Sequence, residues 1–254
     1  MRIGKQDAPF TAICTSDAAS IRVRGLDLCG EIIGKMDFTS YFWLLVTGTA
    51  PTPTQKFFAD AVLAAIAEHG LVPSVVATRM TYAAAPEAFH GAVAAGLLGC
   101  GSVVLGSAEV AGRFLAEVVA AGGDPAPLLI ERKARRAPVP GFGHPQHSGG
   151  DPRANLLLAL ADEHGVSGAH VGALRAIGAA LPATIGRALP VNVNGAIPAV
   201  MLDVGFPLAA LKGISLLART ASLIAHLQEE SERPIGFIMS GAAAAAIGFD
   251  GKNA

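Results

Sequence analysis

The stretch "PGFGHPQHSGGDPRANLLLALADEHG", residues 140–165, decides the architecture. Through residue 150 it crowds glycine and proline around His144 and His147, the composition of a loop. From there it reads as a helix. Asp151 is placed to cap, Pro152 takes the first helical position, where its missing N–H costs nothing, and Gly165 marks the end. The same punctuation recurs in "PTPTQKFFADAVLAAIAEHG", residues 51–70. There Thr54 is the expected cap, Phe57, Phe58, Ala61, Val62, Ala65 and Ile66 the expected buried stripe, and Gly70 the terminator. Apolar spacing predicts further helices near 38–48, 86–99, 107–121, 167–180, 195–204 and 208–230. No run of alternating strands and no repeat of 20–50 residues breaks this pattern, so the predicted fold class is all-α. Proline and glycine breaks isolate residues 111–207 between two alanine-rich blocks. The expected organisation is a large helical domain, 1–110 with 208–254, carrying an inserted small helical domain, 111–207, with the ligand in the cleft between them.

Composition narrows the function. Of 254 residues, 52% are hydrophobic and only 15% charged, too little charge to cover a monomer in the usual way, so a homodimer is expected. A net charge of −1 supplies no field to attract nucleic acid or an anionic membrane, and neither is an expected partner. Cys14, Cys29 and Cys100 are an odd number without metal spacing, and the N-terminus lacks a signal peptide's layout. The expected location is the cytoplasm, and no metal is expected. Residues 91–108 carry no charge over eighteen positions. Their glycine and serine content predicts a buried helix that breaks into a turn rather than a bilayer span.

The candidate chemistry lies in six places. His144, between glycines that allow close backbone approach, can exchange protons near neutral pH or can simply bond nearby carbonyls. Arg153 falls in the first turn of its helix, where the dipole disfavours a cation unless an anion joins it. Arg219 sits inside a long apolar helix and must either reach the surface or meet a carboxylate, internal or external. Arg233 precedes a proline and reads as a surface residue or a ligand contact. Arg132, Lys133, Arg135 and Arg136 form the one dense basic cluster, directly upstream of the histidine loop; a solvated charge run and a phosphate site both fit. Asn194 lies at an expected helix start and can exchange hydrogen bonds but cannot abstract a proton.

In order along the chain, these segments resemble the citrate synthase superfamily, in particular its citryl-CoA lyase-like members. "IRVRGLDLCGEIIGKMDFTSYFWLLVTGTAPTPTQ" is similar to the family's N-terminal segment, and "GLLGCGSVVLGSAE" occupies the place of its "GPLHGGANE" loop. "GFGHPQHSGGDPRA" stands for "GFGHRVYKNYDPRA", "NVNG" for "NVDFYSG" and "ARTASLIAH" for "ARTVGWIAH". The resemblance implies a mainly helical dimer with its active site in the cleft. It implies that His144 contacts the reacting oxygen of the acid, that Arg153, Arg219 and Arg233 bind carboxylates, and that the basic cluster with Gly141, Phe142 and Gly143 binds coenzyme A. Two family residues are changed. The loop histidine gives way to apolar Val103 to Leu105, and the carboxylate of "NVD" becomes Asn194. A further family histidine corresponds to Thr81 and Tyr82, with Tyr82 left as a substrate contact.

Losing a positioned acid or base costs about 10²- to 10⁴-fold each, so synthase activity is not expected. The expected reaction is cleavage of citryl-CoA, or a related 3-hydroxy-3-carboxyacyl-CoA, into an acyl-CoA and a 2-oxo acid, with His144 and Asn194 at the reacting centre. The expected ligands are thus an acyl-CoA and a small di- or tricarboxylic acid, coenzyme A being part of the substrate or product, with no nicotinamide or flavin. Two alternatives are a non-catalytic CoA-binding protein and an enzyme for another branched acyl-CoA.

Overall fold

The computed structural model describes residues 9–103, 105–143 and 150–251, and the fold is all-α apart from one small sheet. His144 and His147 lie outside the described residues. The chain divides into two compact units between Asp60 and Ala61.

In the first unit, strands β1 (Cys14–Ser16), β2 (Ile21–Val23) and β3 (Leu26–Asp27) form an antiparallel sheet in that order, with Cys14 opposite Val23 and Val23 opposite Leu26. Strands of two and three residues are too short to show alternation, which is why the sequence did not predict them. Their turns are built locally. The Asp17 carboxylate accepts from the amides of Ala19 and Ser20, both at 2.8 Å. Arg24 and Gly25, with φ of +52° and +89°, make the left-handed pair that suits a two-residue hairpin. The Arg24 Nε then donates to the Leu45 carbonyl at 3.1 Å, tying the sheet to α1 (Phe38–Thr47). Asp37 caps α1 through the Ser40 amide, at 3.0 Å, and Gly48 ends it in the left-handed conformation.

Helix α2 spans Pro53–Ala67, and its cap is Thr52 rather than Thr54. The Thr52 hydroxyl accepts from the Gln55 amide at 3.2 Å, while the Gln55 side chain accepts from the Thr52 amide at 2.9 Å. This reciprocal capping box, with proline in the first helical position, outcompetes a lone Thr54. The buried face is Phe58, Ala59, Val62 and Ile66, whereas Phe57 is exposed. Adjacent residues diverge by about 100° around a helix, so one of two neighbouring phenylalanines turns outward.

The second unit is built from α3 (Pro73–Ala84), α4 (Phe89–Leu98), α5 (Ser107–Ala120), α6 (Ala126–Ala134), α7 (Pro152–Glu163), α8 (Ala169–Ile185), α9 (Val193–Asp203), α10 (Leu211–Glu232) and α11 (Gly236–Ala246). Of these α3, α6 and α11 were not predicted. The uncharged stretch 91–108 is no continuous helix: α4 ends at Leu98 and α5 begins at Ser107, with a glycine-containing turn between them. Helices α3 and α4 pack so closely that a Cβ on Gly96 would lie 2.1 Å from the Thr78 hydroxyl. Helix α9 is the centre of the rest, touching α5, α7 and α8. Its residues Val193 and Gly195 to Met201 are all buried, the mark of a helix surrounded by others. Asp203, at the end of α9, accepts from the amides of Gly168, His170 and Val171 and so caps α8.

Candidate active site

Gly141 and Gly143 are held by the segment that leads into α9. The Asn192 amide donates to the Gly141 carbonyl at 3.0 Å, the Gly143 amide to the Pro190 carbonyl at 2.8 Å, and the Asn192 side chain to the Gly143 carbonyl at 2.6 Å. Gly141 and Gly143 sit at φ of +84° and +76°. A Cβ on Gly141 would come within 2.7 Å of the Gly195 Cα, so glycine is required both for conformation and for the close approach of loop to helix. Asn192 also caps α9, its side chain accepting from the Asn194 amide at 3.0 Å. The cap is therefore Asn192, and Asn194 lies one turn position inside the helix with its side chain released for other contacts.

Asp151 is the second anchor. It is fully buried, caps α7 through the Arg153 amide at 3.1 Å, and accepts from the Val193 amide of α9 at 2.9 Å. The Arg153 guanidinium closes on the same carboxylate, Nε to Oδ1 at 3.0 Å and NH2 to Oδ2 at 2.9 Å. Burial pushes the Asp151 carboxyl up, but the Arg153 hydrogen bonds and charge and the Val193 amide outweigh it and hold the pKa down at about 2. Asp151 thus supplies, from within the chain, the anion that Arg153 needs at a helix N-terminus.

These anchors form one wall of a cavity of about 650 Å³. Pro138 to Gly143, Arg153 and Asn192 to Asn194 line it, together with Ile66, His69, Val72 and Pro73, the turn before α5, Ser107 and Arg219. Arg219 is only 2% exposed. Its NH1 donates to the Ser222 hydroxyl at 3.4 Å, and its Nε has no partner. Burial depresses its pKa, with Glu68 opposing the shift. Ser222 passes its own hydrogen bond on to Glu68, which also meets His226 Nε2 at 3.0 Å. Burial pushes the Glu68 carboxyl up, but its hydrogen bonds from Ser222 and Gly70 and the His226 charge lower it overall. The Asn194 Oδ1 and the Ser107 Oγ on the cavity are likewise buried without partners. A buried unpaired donor or acceptor costs about 1–3 kcal/mol, more when charged, and a ligand that pairs these groups removes the cost. The cavity therefore has a cationic donor, a neutral acceptor and a hydroxyl on a largely apolar lining.

The structure thus brings Arg153, Arg219, Asn194, Gly141, Phe142 and Gly143 together on one cavity. The remaining candidates among the described residues lie elsewhere. Arg132 and Lys133 occupy the last turn of α6, Arg132 donating to the Pro138 carbonyl at 3.2 Å and Lys133 to the Thr184 carbonyl at 2.9 Å. The Arg132 guanidinium also stacks 4.3 Å over the Phe114 ring. Arg135 pairs with Glu131 at 2.6 Å, and Arg136 is exposed. Tyr82 packs edge-on against Phe89 at 6.1 Å, and Arg233 is exposed at the end of α10. Sequence reading missed Ser107, Asn192 and Glu68; the two asparagines of "NVN" were the available signal for Asn192, while Glu68 is joined to Ser222 only by the fold.

A family model described as citrate synthase, C-terminal domain, matches residues 18–236. The chain belongs to the citrate synthase family. A search of curated protein sequences found no match. Among solved structures the chain is similar to citryl-CoA lyase from Hydrogenobacter thermophilus, with 27% identity and a TM-score of 0.87 over 100% of this chain and 96% of that one. It is also similar to ATP citrate lyase from Methanothrix soehngenii in complex with citrate and coenzyme A, with 23% identity, a TM-score of 0.77, and 91% of this chain matched to 40% of that one. For citrate synthase from Thermoplasma acidophilum the values are 19%, 0.64, 78% and 54%. At these last two identities the likeness is one of fold.

Proposed function

We propose that this citrate synthase family chain cleaves citryl-CoA, or a related 3-hydroxy-3-carboxyacyl-CoA, into an acyl-CoA and a 2-oxo acid. The observation that carries this reading is the buried Arg219, with an unpartnered Nε, on the same cavity as the unpartnered Asn194 Oδ1. Arg219 is matched to a ligand carboxylate and Asn194 to a ligand hydroxyl, and a 3-hydroxy-3-carboxyacyl group has both. Arg153, with its charge shared by Asp151, is the second carboxylate contact. In this mechanism His144 takes the proton of the tertiary hydroxyl, and the C–C bond breaks as that carbon becomes the carbonyl of the 2-oxo acid. The electron pair passes into the enolate of the acyl-CoA, which regains a proton at carbon.

The remaining parts of the reading follow from it. Coenzyme A is carried as part of the substrate, with Arg132, Lys133, Arg135 and Arg136 as its phosphate contacts and Tyr82 and Arg233 as outer substrate contacts. The active form is a cytoplasmic homodimer, and residues 111–207 form a small domain on the rest. Incubation of the protein with citryl-CoA, coupled to detection of the oxo acid, tests the activity. The expected result is turnover that falls at least 10²-fold in His144→Ala. Undiminished turnover in that variant removes His144 from the mechanism. A second reading, a CoA-binding protein without turnover, is favoured by the neutral Asn194 and the apolar loop at Val103 and Leu105. It predicts coenzyme A binding by calorimetry with no oxo acid released.

A further inference from the structure

Another wall of the cavity is formed by Ser102, Val103 and Leu105 and by Ser107 and Val110 at the start of α5. The turn before α5 is tightly built. The Gly106 amide donates to the Gly101 carbonyl at 2.9 Å, and a Cβ on Gly106 would stand 2.6 Å from that oxygen. Leu105 is held at φ +62°, a left-handed conformation that leucine adopts only under constraint, with its side chain buried. The result is a helix that opens toward the cavity without a side-chain cap. The first-turn amides, at Ser107, Ala108 and Glu109, therefore have no acceptor within the helix. Ser107 lines the cavity, and its buried Oγ has no partner. Glu109 in the same turn is paired with Arg113 at 2.7 Å. The independent sign of a ligand here is Arg219 on the same cavity, 2% exposed with an unsatisfied Nε. The other uncapped helix start on this cavity, that of α3, has Pro73 in its first position, where no N–H is available.

We infer that the Ser107 hydroxyl and the first-turn amides of α5 hold the thioester oxygen of the acyl group while it carries the negative charge of the enolate. This rests on the cleavage reading above. When the C–C bond breaks, its electron pair delocalises onto that oxygen, and the proton taken from the tertiary hydroxyl returns to the acyl α-carbon. Ser107 keeps its own proton and only donates a hydrogen bond. A neutral thioester oxygen is a weak acceptor and an enolate oxygen a strong one, so fixed donors and the positive end of a helix act chiefly in the transition state.

The test compares Ser107→Ala and Ser107→Thr with the wild type in citryl-CoA cleavage, and in calorimetric binding of coenzyme A and carboxymethyl-coenzyme A. Carboxymethyl-coenzyme A carries its charged oxygens one bond beyond the carbon that bears the enolate oxygen, within reach of the same donors. The expected result is a kcat about 10²- to 10³-fold lower in Ser107→Ala with KM little changed, and partial recovery in Ser107→Thr. Wild-type protein should also bind carboxymethyl-coenzyme A about tenfold more tightly than coenzyme A, a margin that Ser107→Ala loses. A Ser107→Ala enzyme that cleaves at the wild-type rate overturns the assignment and leaves the cleavage reading intact. If the wild type cleaves nothing, the cleavage reading fails, and the binding margin decides alone: its loss in Ser107→Ala supports the oxyanion site, and its absence in the wild type overturns it.

Discussion

Arg79 and Arg219 are both 2% exposed, on helices α3 and α10 that pack together, yet their surroundings differ completely. Arg79 is saturated. Its Nε donates to Glu230 at 2.6 Å, NH1 to Glu229 at 2.8 Å and NH2 to the Arg233 carbonyl at 3.1 Å. Arg219 has one long bond to Ser222 and an Nε facing nothing. Arg153 stands between them, paired with Asp151 and still on the cavity. A buried arginine whose nitrogens are all partnered within the chain is a joint of the fold. One whose donors are left over in a cavity is aimed at something the chain does not contain.

The largest effect that sharpens this contrast is expected at Glu230. Its Oε1 also accepts from the Ile235 and Gly236 amides, so Glu230→Ala takes the Nε partner from a buried cation, leaving it Glu229, and leaves two amides unpaired at once. Urea unfolding should show a loss of about 3–5 kcal/mol, and a loss below about 1 kcal/mol would mean that Arg79 is no joint. The next effect concerns Asp151. Its folded pKa of about 2 lies below the ordinary value of 3.8, so its contribution is complete above about pH 4 and is lost as the pH falls toward 2. The shift corresponds to about 2 kcal/mol. Asp151→Asn should unfold more readily at pH 7 by that amount, and its stability should approach that of the wild type near pH 2. Parallel pH profiles for the two proteins would remove the linkage.

The difference between the two arginines was only half legible in the sequence. Helices with strong punctuation were readable, since Asp151, Pro152 and Gly165 act through local backbone geometry. So were the glycines of "GFG", because a left-handed turn leaves a compositional trace. Helix α11, "GFIMSGAAAAA", has no polar face to reveal a period, and α3 puts Thr78, Arg79 and Thr81 amid apolar residues, so neither was predicted. Partners far apart in the chain left no trace. Arg79 lies 151 residues from Glu230, and the Ser222 contact of Arg219 leads to Glu68, 154 residues away. Sequence reading could therefore say that Arg219 must reach the surface or meet a carboxylate, but not that Arg79 already has two.

Arg219→Met is the substitution that separates fold from ligand. Exchanging a buried, under-satisfied cation for an apolar side chain of similar length should leave stability unchanged or raise it by about 1 kcal/mol. Citrate affinity should fall about tenfold to a hundredfold, the loss of a charged hydrogen-bond donor. A large loss of stability with citrate binding preserved would place Arg219 with Arg79 among the joints.

The smallest effect is expected at Ser222, the single contact that orients Arg219. Its hydroxyl accepts from Arg219 and donates to Glu68, and it is 6% exposed. In Ser222→Ala the buried guanidinium loses its tether and keeps only its place on the cavity, while Glu68 loses a donor but is half exposed and keeps His226. The stability cost should stay near 1 kcal/mol, a single hydrogen bond. Citrate should bind a few-fold more weakly because the free guanidinium samples more orientations before the ligand fixes one. If citrate binding is unchanged while stability falls, Ser222 serves the packing of α10, and Arg219 is oriented by the cavity wall itself.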